Sequence, residues 1–226
     1  MYYNRRASFW NIMPPVIKNL VIINTIIFIF TMLTGNFMYE TFALYYFKSD
    51  LFKPYQLITH IFMHGSFFHL LFNMYALILF GVNLERMWGS EKFLFYYMVT
   101  GIGAALLHST ALHLEALPYK EAAMAGGASA IYAYSKFLSI PTVGASGAVF
   151  GVLLGYGMLF PNNRFFLLFP PIALKAKWLV IIYGVGELIL GLSNHGGNIA
   201  HFAHLGGMIF GFILITYWRR NNKMYS

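Results

Sequence analysis

The stretch TVGASGAVFGVLLGYGMLF, Thr142–Phe160, sets Ser146 among small residues at the front of a long apolar run. No charged residue interrupts it. A membrane-spanning helix needs about 20 mostly apolar residues, so the run reads as a span. Gly147, Gly151 and Gly155 recur every four residues along it. Such small-residue faces let membrane helices approach closely. A lone serine between glycines is usually there for packing, so a chemical role for Ser146 needs partners elsewhere in the chain.

Five further segments have the same character, and with Val143–Phe160 they make six spans: Val16–Thr34, Phe67–Leu84, Phe93–Leu112, Trp178–Leu192 and Ile199–Trp218. The composition agrees. The 226 residues are 59% hydrophobic and 10% charged, against roughly 25% charged in soluble domains. With no cysteine, disulfides and thiolate metal sites are excluded. The net charge of +8 flanks apolar runs instead of clustering, which argues against a nucleic-acid partner and for membrane topology. The first span lacks a small-residue cleavage signature and is not read as a signal peptide. A tight turn, ERMWGSEK, separates the second and third spans. The connections Gly35–Ser66 and Glu115–Thr142 are longer, and the second contains alanine-rich pieces suited to a short surface helix. The expected organisation is one domain over 1–226, with a short cytoplasmic segment to about residue 15, a core over 16–218 and a cytoplasmic tail over 219–226.

Lysine and arginine set the orientation. Six spans place both termini on one side, and eleven basic residues fall there, against four (Lys48, Lys53, Lys120 and Lys136) on the other. The basic side is expected to be cytoplasmic. All eight histidines then fall in the outer half: His60, His64, His69, His108, His113, His195, His201 and His204. Ser146 lies about four residues into its span, roughly 6 Å deep, and His204 about six residues in, roughly 9 Å. Asn73 enters to a similar depth. Polar groups inside a bilayer usually face the bundle or a water-filled cavity, so one shared cavity is plausible for the three.

At this point the residues resemble a family. GASG at Gly144–Gly147, HLLFN at His69–Asn73 and AHLGGMIFG at Ala203–Gly211 look like the rhomboid intramembrane serine proteases, in the family's order and on the expected spans. The resemblance covers about Leu57 to Phe212. It implies an all-α polytopic membrane protein with six transmembrane helices in a rhomboid-like bundle. It implies Ser146 as nucleophile, His204 as general base, and His69 and Asn73 as oxyanion-stabilising side chains. It also implies transmembrane protein substrates, cut near the outer face at a small residue where the substrate helix unwinds. A six-span core resembles bacterial members and suggests a bacterial cytoplasmic membrane. The family often has an aromatic–arginine pair in the first outer loop; Gly35–Ser66 contains none.

The chemistry makes separate sense of these residue types. A serine hydroxyl needs a base within hydrogen-bond reach, and imidazole titrates near neutrality. Asn73, His69 and the Ser146 backbone N–H are candidate donors to a developing oxyanion, and the four-residue spacing of His69 and Asn73 puts both on one helix face. Gly207 and Gly211 share a face with His204, so close approach of the fourth and sixth spans would bring His204 to Ser146. Phe150, one turn after Ser146, is placed to stack on the imidazole. No third acid is evident: Asp50, the only aspartate, lies in a loop, and Glu187, deep in a span, reads as a neutral, hydrogen-bonded structural group. A Ser–His dyad without cofactor or metal is therefore expected. His201 competes with His204 but lacks the glycine face. His60 and His64 read as loop-structuring or surface groups, and Glu85–Trp88 as a tie for the cytoplasmic turn. The alternatives are a rhomboid-like pseudoprotease, a histidine-rich metal-binding membrane protein, for which no HExxH is present, and a transporter, for which no inverted repeat is seen.

Overall fold

The computed structural model describes residues 13–166, 173–193 and 199–224. Arg5, Arg6, most of the expected N-terminal segment, His195 and the end of the tail lie outside the described residues. The fold is an all-α membrane bundle. In chain order its helices are α1 (Pro15–Thr34), α2 (Asn36–Phe42), α3 (Gln56–Thr59), α4 (Phe67–Trp88), α5 (Ser90–Met124), α6 (Ala128–Leu138), α7 (Ser146–Leu159), α8 (Ala176–Leu192) and α9 (Ile199–Arg220). A single 3-10 turn, His60–Phe62, follows α3. A short antiparallel hairpin, β1 (Arg164–Phe166) and β2 (Ala173–Lys175), pairs Phe165 with Leu174.

The six expected spans correspond to α1, α4, α5, α7, α8 and α9. Four of them, α1, α4, α5 and α9, are long and apolar enough to cross a membrane by themselves. The sequence reading erred at the ends of the others. The segment 143–145 is not helical, and α7 starts at Ser146 itself. Its 14 residues span about 21 Å, against a hydrocarbon core of about 30 Å. An extended segment covers part of the remaining depth: Thr142 pairs with Leu44 in an isolated bridge. His108 of α5 bonds Thr142 Oγ1 at 2.8 Å. The helix begins there because tertiary contacts stop the chain from coiling earlier.

α7 is the hub, packed against α4, α5, α8 and α9. Its buried residues include Gly147, Ala148, Val149, Gly151, Val152 and Gly155. The glycine face mostly meets α5, not α9 as expected: Cβ atoms at Gly151 and Gly155 would touch Thr100 and Tyr96. The closest backbone approach to α9 is where Gly207 lies on Gly147. A Cβ at Gly207 would stand 1.8 Å from the Gly147 carbonyl oxygen. α1 lies at the periphery, with Ile23, Ile26, Ile29, Phe30 and Leu33 exposed on its outer side.

Glu85, only 2% exposed, ties the turn between α4 and α5 to the start of α1. Its carboxylate accepts from the Val16 and Ile17 amides at 2.8 and 2.9 Å and from the Ser90 hydroxyl at 2.8 Å. These amides have no carbonyl partner within their own helix, and a carboxylate at a helix N-terminus also meets the positive end of its dipole. The connection Gly35–Ser66 is held by Gln56, which is fully buried. Its amide accepts from Lys53 N at 3.0 Å and donates to Leu51 O at 2.9 Å and Thr41 O at 3.3 Å. An anchor thus exists without an aromatic–arginine pair. α5 does not end near Leu112 but runs 35 residues to Met124. α6 folds back on it, stacking Phe137 on Tyr119 at 5.3 Å.

Candidate functional site

Three elements meet at Ser146. α7 supplies the hydroxyl at its first residue, α9 supplies His204 and α4 supplies His69 and Asn73. Ser146 Oγ and His204 Nε2 stand 2.9 Å apart. The imidazole lies flat on Phe150, with ring centroids 4.1 Å apart and planes at 4°. Phe150 in turn meets Tyr183 of α8 edge-on at 6.1 Å. The expected serine–histidine contact and the expected aromatic stack are both present. Starting α7 at Ser146 has a chemical consequence: the amides of its first turn have no carbonyl one turn earlier, and they carry the partial positive charge of the helix end.

His69 reaches the same place because Gly144 has no side chain. At φ +137° Gly144 adopts a backbone that other residues rarely take, and a Cβ there would collide with His69 Cε1 at 2.8 Å and Nε2 at 2.9 Å. The same position is 3.7 Å from Ser146 Oγ. Asn73 sits one turn below His69 and donates one amide hydrogen to the His69 carbonyl at 2.9 Å. The second hydrogen on that nitrogen is free to donate into the groove described next.

Two cavities adjoin the hydroxyl. A groove of about 540 Å³ has Ser146, Val149, Phe150 and Leu153 of α7 as its floor. Asn73 and Leu79 of α4 form one wall, and Leu179 and Tyr183 of α8 the other. A smaller, more enclosed space of about 50 Å³ is lined by His60, Thr142, Gly144, Ser146 and His204. At roughly 10–15 Å³ per water it has room for a few water molecules.

The remaining histidines divide. His60 and His64 are buried, not on the surface. His60 Nδ1 donates to Gln56 O at 2.8 Å, while its backbone carbonyl accepts from Gly144 N at 3.0 Å. It thereby fixes the residue two before Ser146. Burial pushes the His60 imidazole down to about 4 and that of His64 to about 3, so both are neutral near pH 7. His64 meets His69 edge-on at 5.0 Å. His113 bonds Tyr46 at 2.8 Å and tethers the first outer connection to α5.

Glu187 departs furthest from expectation. Its expected hydrogen bonding is present, but the partners are the two histidines of α9, one of which contacts Ser146. Its Oε2 lies 2.6 Å from His201 Nδ1 and 2.9 Å from His204 Nδ1. The first contact is an aligned hydrogen bond; the second is close but off the line of the His204 N–H. The signal was available in the sequence: an acid deep in an apolar helix must find a polar partner. Glu187, His201 and His204 are also the one cluster among the described residues able to hold a metal ion. Their 2.6 and 2.9 Å separations are those of hydrogen bonds.

Comparison with known proteins bears on the family. A family model described as Rhomboid domain matches residues 51–221. Rhomboid-like protein 15 of Arabidopsis thaliana is 28% identical over 214 residues, covering 92% of this chain and 48% of that protein. Rhomboid protein 1, mitochondrial, of Saccharomyces cerevisiae is 32% identical, covering 69% of this chain and 39% of that one. Rhomboid protease GluP of Bacillus subtilis is 33% identical, covering 70% and 24%. The chain thus spans less than half the length of each of these relatives. With the domain matched over most of its length and four helices long and apolar enough to cross a membrane, the chain is an integral membrane protein that belongs to the rhomboid family.

Proposed function

We propose that the protein is an intramembrane serine endopeptidase in which Ser146 is the nucleophile and His204 the general base. The observation that carries this is the 2.9 Å approach of His204 Nε2 to Ser146 Oγ inside a membrane bundle. As Oγ attacks the scissile carbonyl carbon, its proton passes to His204 Nε2 and the carbonyl oxygen takes the negative charge. His69, the second Asn73 amide hydrogen and the first-turn amides of α7 would donate to that oxygen. His204 then returns the proton to the leaving amine, and an acyl-enzyme on Ser146 remains. Water from the 50 Å³ space, deprotonated by His204, hydrolyses it. Phe150 keeps the imidazole plane fixed throughout.

The groove between α4 and α8 suits a transmembrane protein substrate. Its walls are apolar along most of their length, and Ser146 lies at its floor. A helical substrate hides its carbonyls, so the reacting segment must be unwound there. By the basic-residue asymmetry the termini are cytoplasmic and cleavage is near the outer face. The test is cleavage of a transmembrane substrate by purified protein in detergent. Ser146→Ala and His204→Ala are expected to abolish it while the fold persists, and chelators to leave it unchanged. Full activity in Ser146→Ala, or loss on chelation with recovery on adding zinc, overturns the proposal. A wild-type protein that binds such segments without cutting them is a pseudoprotease.

A further inference from the structure

Glu187 sits in α8 among Val185, Leu188 and Ile189, yet its neighbours across the helix interface are polar. A carboxylate taken from water without partners is strongly destabilising, so its position demands an account. The account lies in the chain of contacts it completes. Ser146 of α7 meets His204 Nε2 at 2.9 Å. His204 Nδ1 faces Glu187 Oε2 at 2.9 Å, and the same oxygen holds His201 Nδ1 at 2.6 Å. For Nε2 to accept the serine proton, the neutral ring must carry its hydrogen on Nδ1. No other acceptor for that hydrogen is found among the described residues.

Resting on the serine-protease reading, we propose that Glu187 is the positioning residue that completes a Ser146–His204–Glu187 triad, with His201 as its tether. In the resting site the carboxylate is aligned on His201, and its effect on His204 is one of charge across 2.9 Å. When His204 takes the serine proton, the imidazolium faces an anion in a water-poor interface. Glu187 stays ionised and forms no new covalent bond; it selects the Nδ1–H tautomer and stabilises the charged ring. The other groups facing His204 carry no fixed charge of either sign. α7 contributes Ser146 and Phe150, α5 contributes Ala104 beneath Gly147, α4 contributes His69 beyond Gly144, α8 adds Tyr183 behind Phe150, and α9 itself adds His201.

Glu187→Gln keeps the size and an acceptor oxygen but removes the charge. It is expected to lower kcat at least tenfold with KM unchanged. It should also move the acid limb of the kcat–pH profile downward, because the imidazolium has lost its counter-charge. Glu187→Asp, which keeps the charge, should restore part of the rate. His201→Ala should lower kcat less than Glu187→Gln, since it removes the tether and not the partner. A Glu187→Gln enzyme with the wild-type rate, or one that is slower with an unmoved acid limb, overturns the triad. So does a larger loss in His201→Ala. Nitrogen-15 NMR of the His204 ring supplies a readout independent of turnover: Glu187→Gln should lower the share of the Nδ1–H tautomer, and an unchanged tautomer ratio refutes the proposal. Wild-type protein without protease activity would instead sink the serine-protease reading, and the ring tautomer would still decide whether Glu187 governs His204.

Discussion

Gly207→Ala tests the backbone contact on which the site depends. A methyl group there would lie 1.8 Å from the Gly147 carbonyl oxygen, whereas ordinary contact begins near 3.4 Å. α7 and α9 must therefore separate by up to about 1.6 Å at this point. The obstacle is backbone, so no side-chain rotation can absorb it. Gly147 adjoins Ser146, and Gly207 is three residues from His204, so the separation falls on their 2.9 Å contact. Even half of it takes the pair beyond the roughly 3.2 Å limit of a good hydrogen bond. A misplacement of about 1 Å can lower the rate by about 10², and a loss of at least that size in kcat is expected. Overpacking costs about 1–3 kcal/mol, partly offset by the roughly 0.5–1 kcal/mol that alanine gains over glycine in a helix. Initial rates on a transmembrane substrate, with thermal melts in the same detergent, separate the two effects. Gly186→Ala is the control, because nothing lies within 4 Å of a Cβ there; its rate should be unchanged. Gly211→Ala should fall between, since its obstacle is the Tyr96 hydroxyl at 2.5 Å, the end of a side chain. A wild-type rate in Gly207→Ala would refute the claim that this crossing sets the serine–histidine distance.

Glu85→Ala leaves the Val16 and Ile17 amides without their acceptor, at about 1–3 kcal/mol for each buried donor; a lowered thermal midpoint with near-normal activity at low temperature is expected, and an unchanged midpoint would contradict the capping role. Asn73→Ala should lower kcat by roughly 10²–10³ with little change in KM if its free amide hydrogen serves the oxyanion; a wild-type rate removes Asn73 from the mechanism. His60 and His64 are held neutral by burial, with values of about 4 and 3, and return to about 6.5 on unfolding. The unfolded chain therefore binds more protons below that value, and stability should hold above pH 6.5 and fall as the pH drops toward 4; a thermal midpoint flat to pH 4 would contradict this. With no native cysteine, orientation can be read from single cysteines: an impermeant thiol reagent outside intact cells should label Ser129→Cys and spare Glu91→Cys. Glu91 is preferable to Ser90, whose hydroxyl bonds Glu85.

The spans were legible because a bilayer imposes one strong rule, a long apolar run, on any chain that crosses it. That Ser146, His204 and Asn73 lie at one depth was legible because polar groups in such runs are rare, whereas His69 stood out only through the family resemblance. What failed were features fixed across long sequence distances. The start of α7 depends on Leu44 pairing with Thr142 and on His108 bonding it, and no local pattern contains either partner. The extension of α5 past Leu112 was hidden because the apolar run ends there, and the continuation carries Glu115, Lys120 and Glu121. The helix continues because Leu112 and Ala116 pack with Tyr46 and Phe137. Glu187 was seen, but α8 is apolar on every side, so hydropathy could not tell which way it is rotated. Its role waits on two histidines from another helix.

These failures and successes have one physical origin. Between membrane helices, close packing replaces the hydrophobic drive of water, so positions are set by where backbones can touch. Gly207 on Gly147 fixes the spacing of α7 and α9, Gly144 admits the His69 ring, and the His60 carbonyl holds the Gly144 amide. Phe150 then restricts the one remaining freedom, the plane of the His204 imidazole. A site held in this way carries its precision in glycines and carbonyls, which exert no chemistry of their own. The few polar side chains need only be of the right type, because the backbone contacts have already brought them within reach.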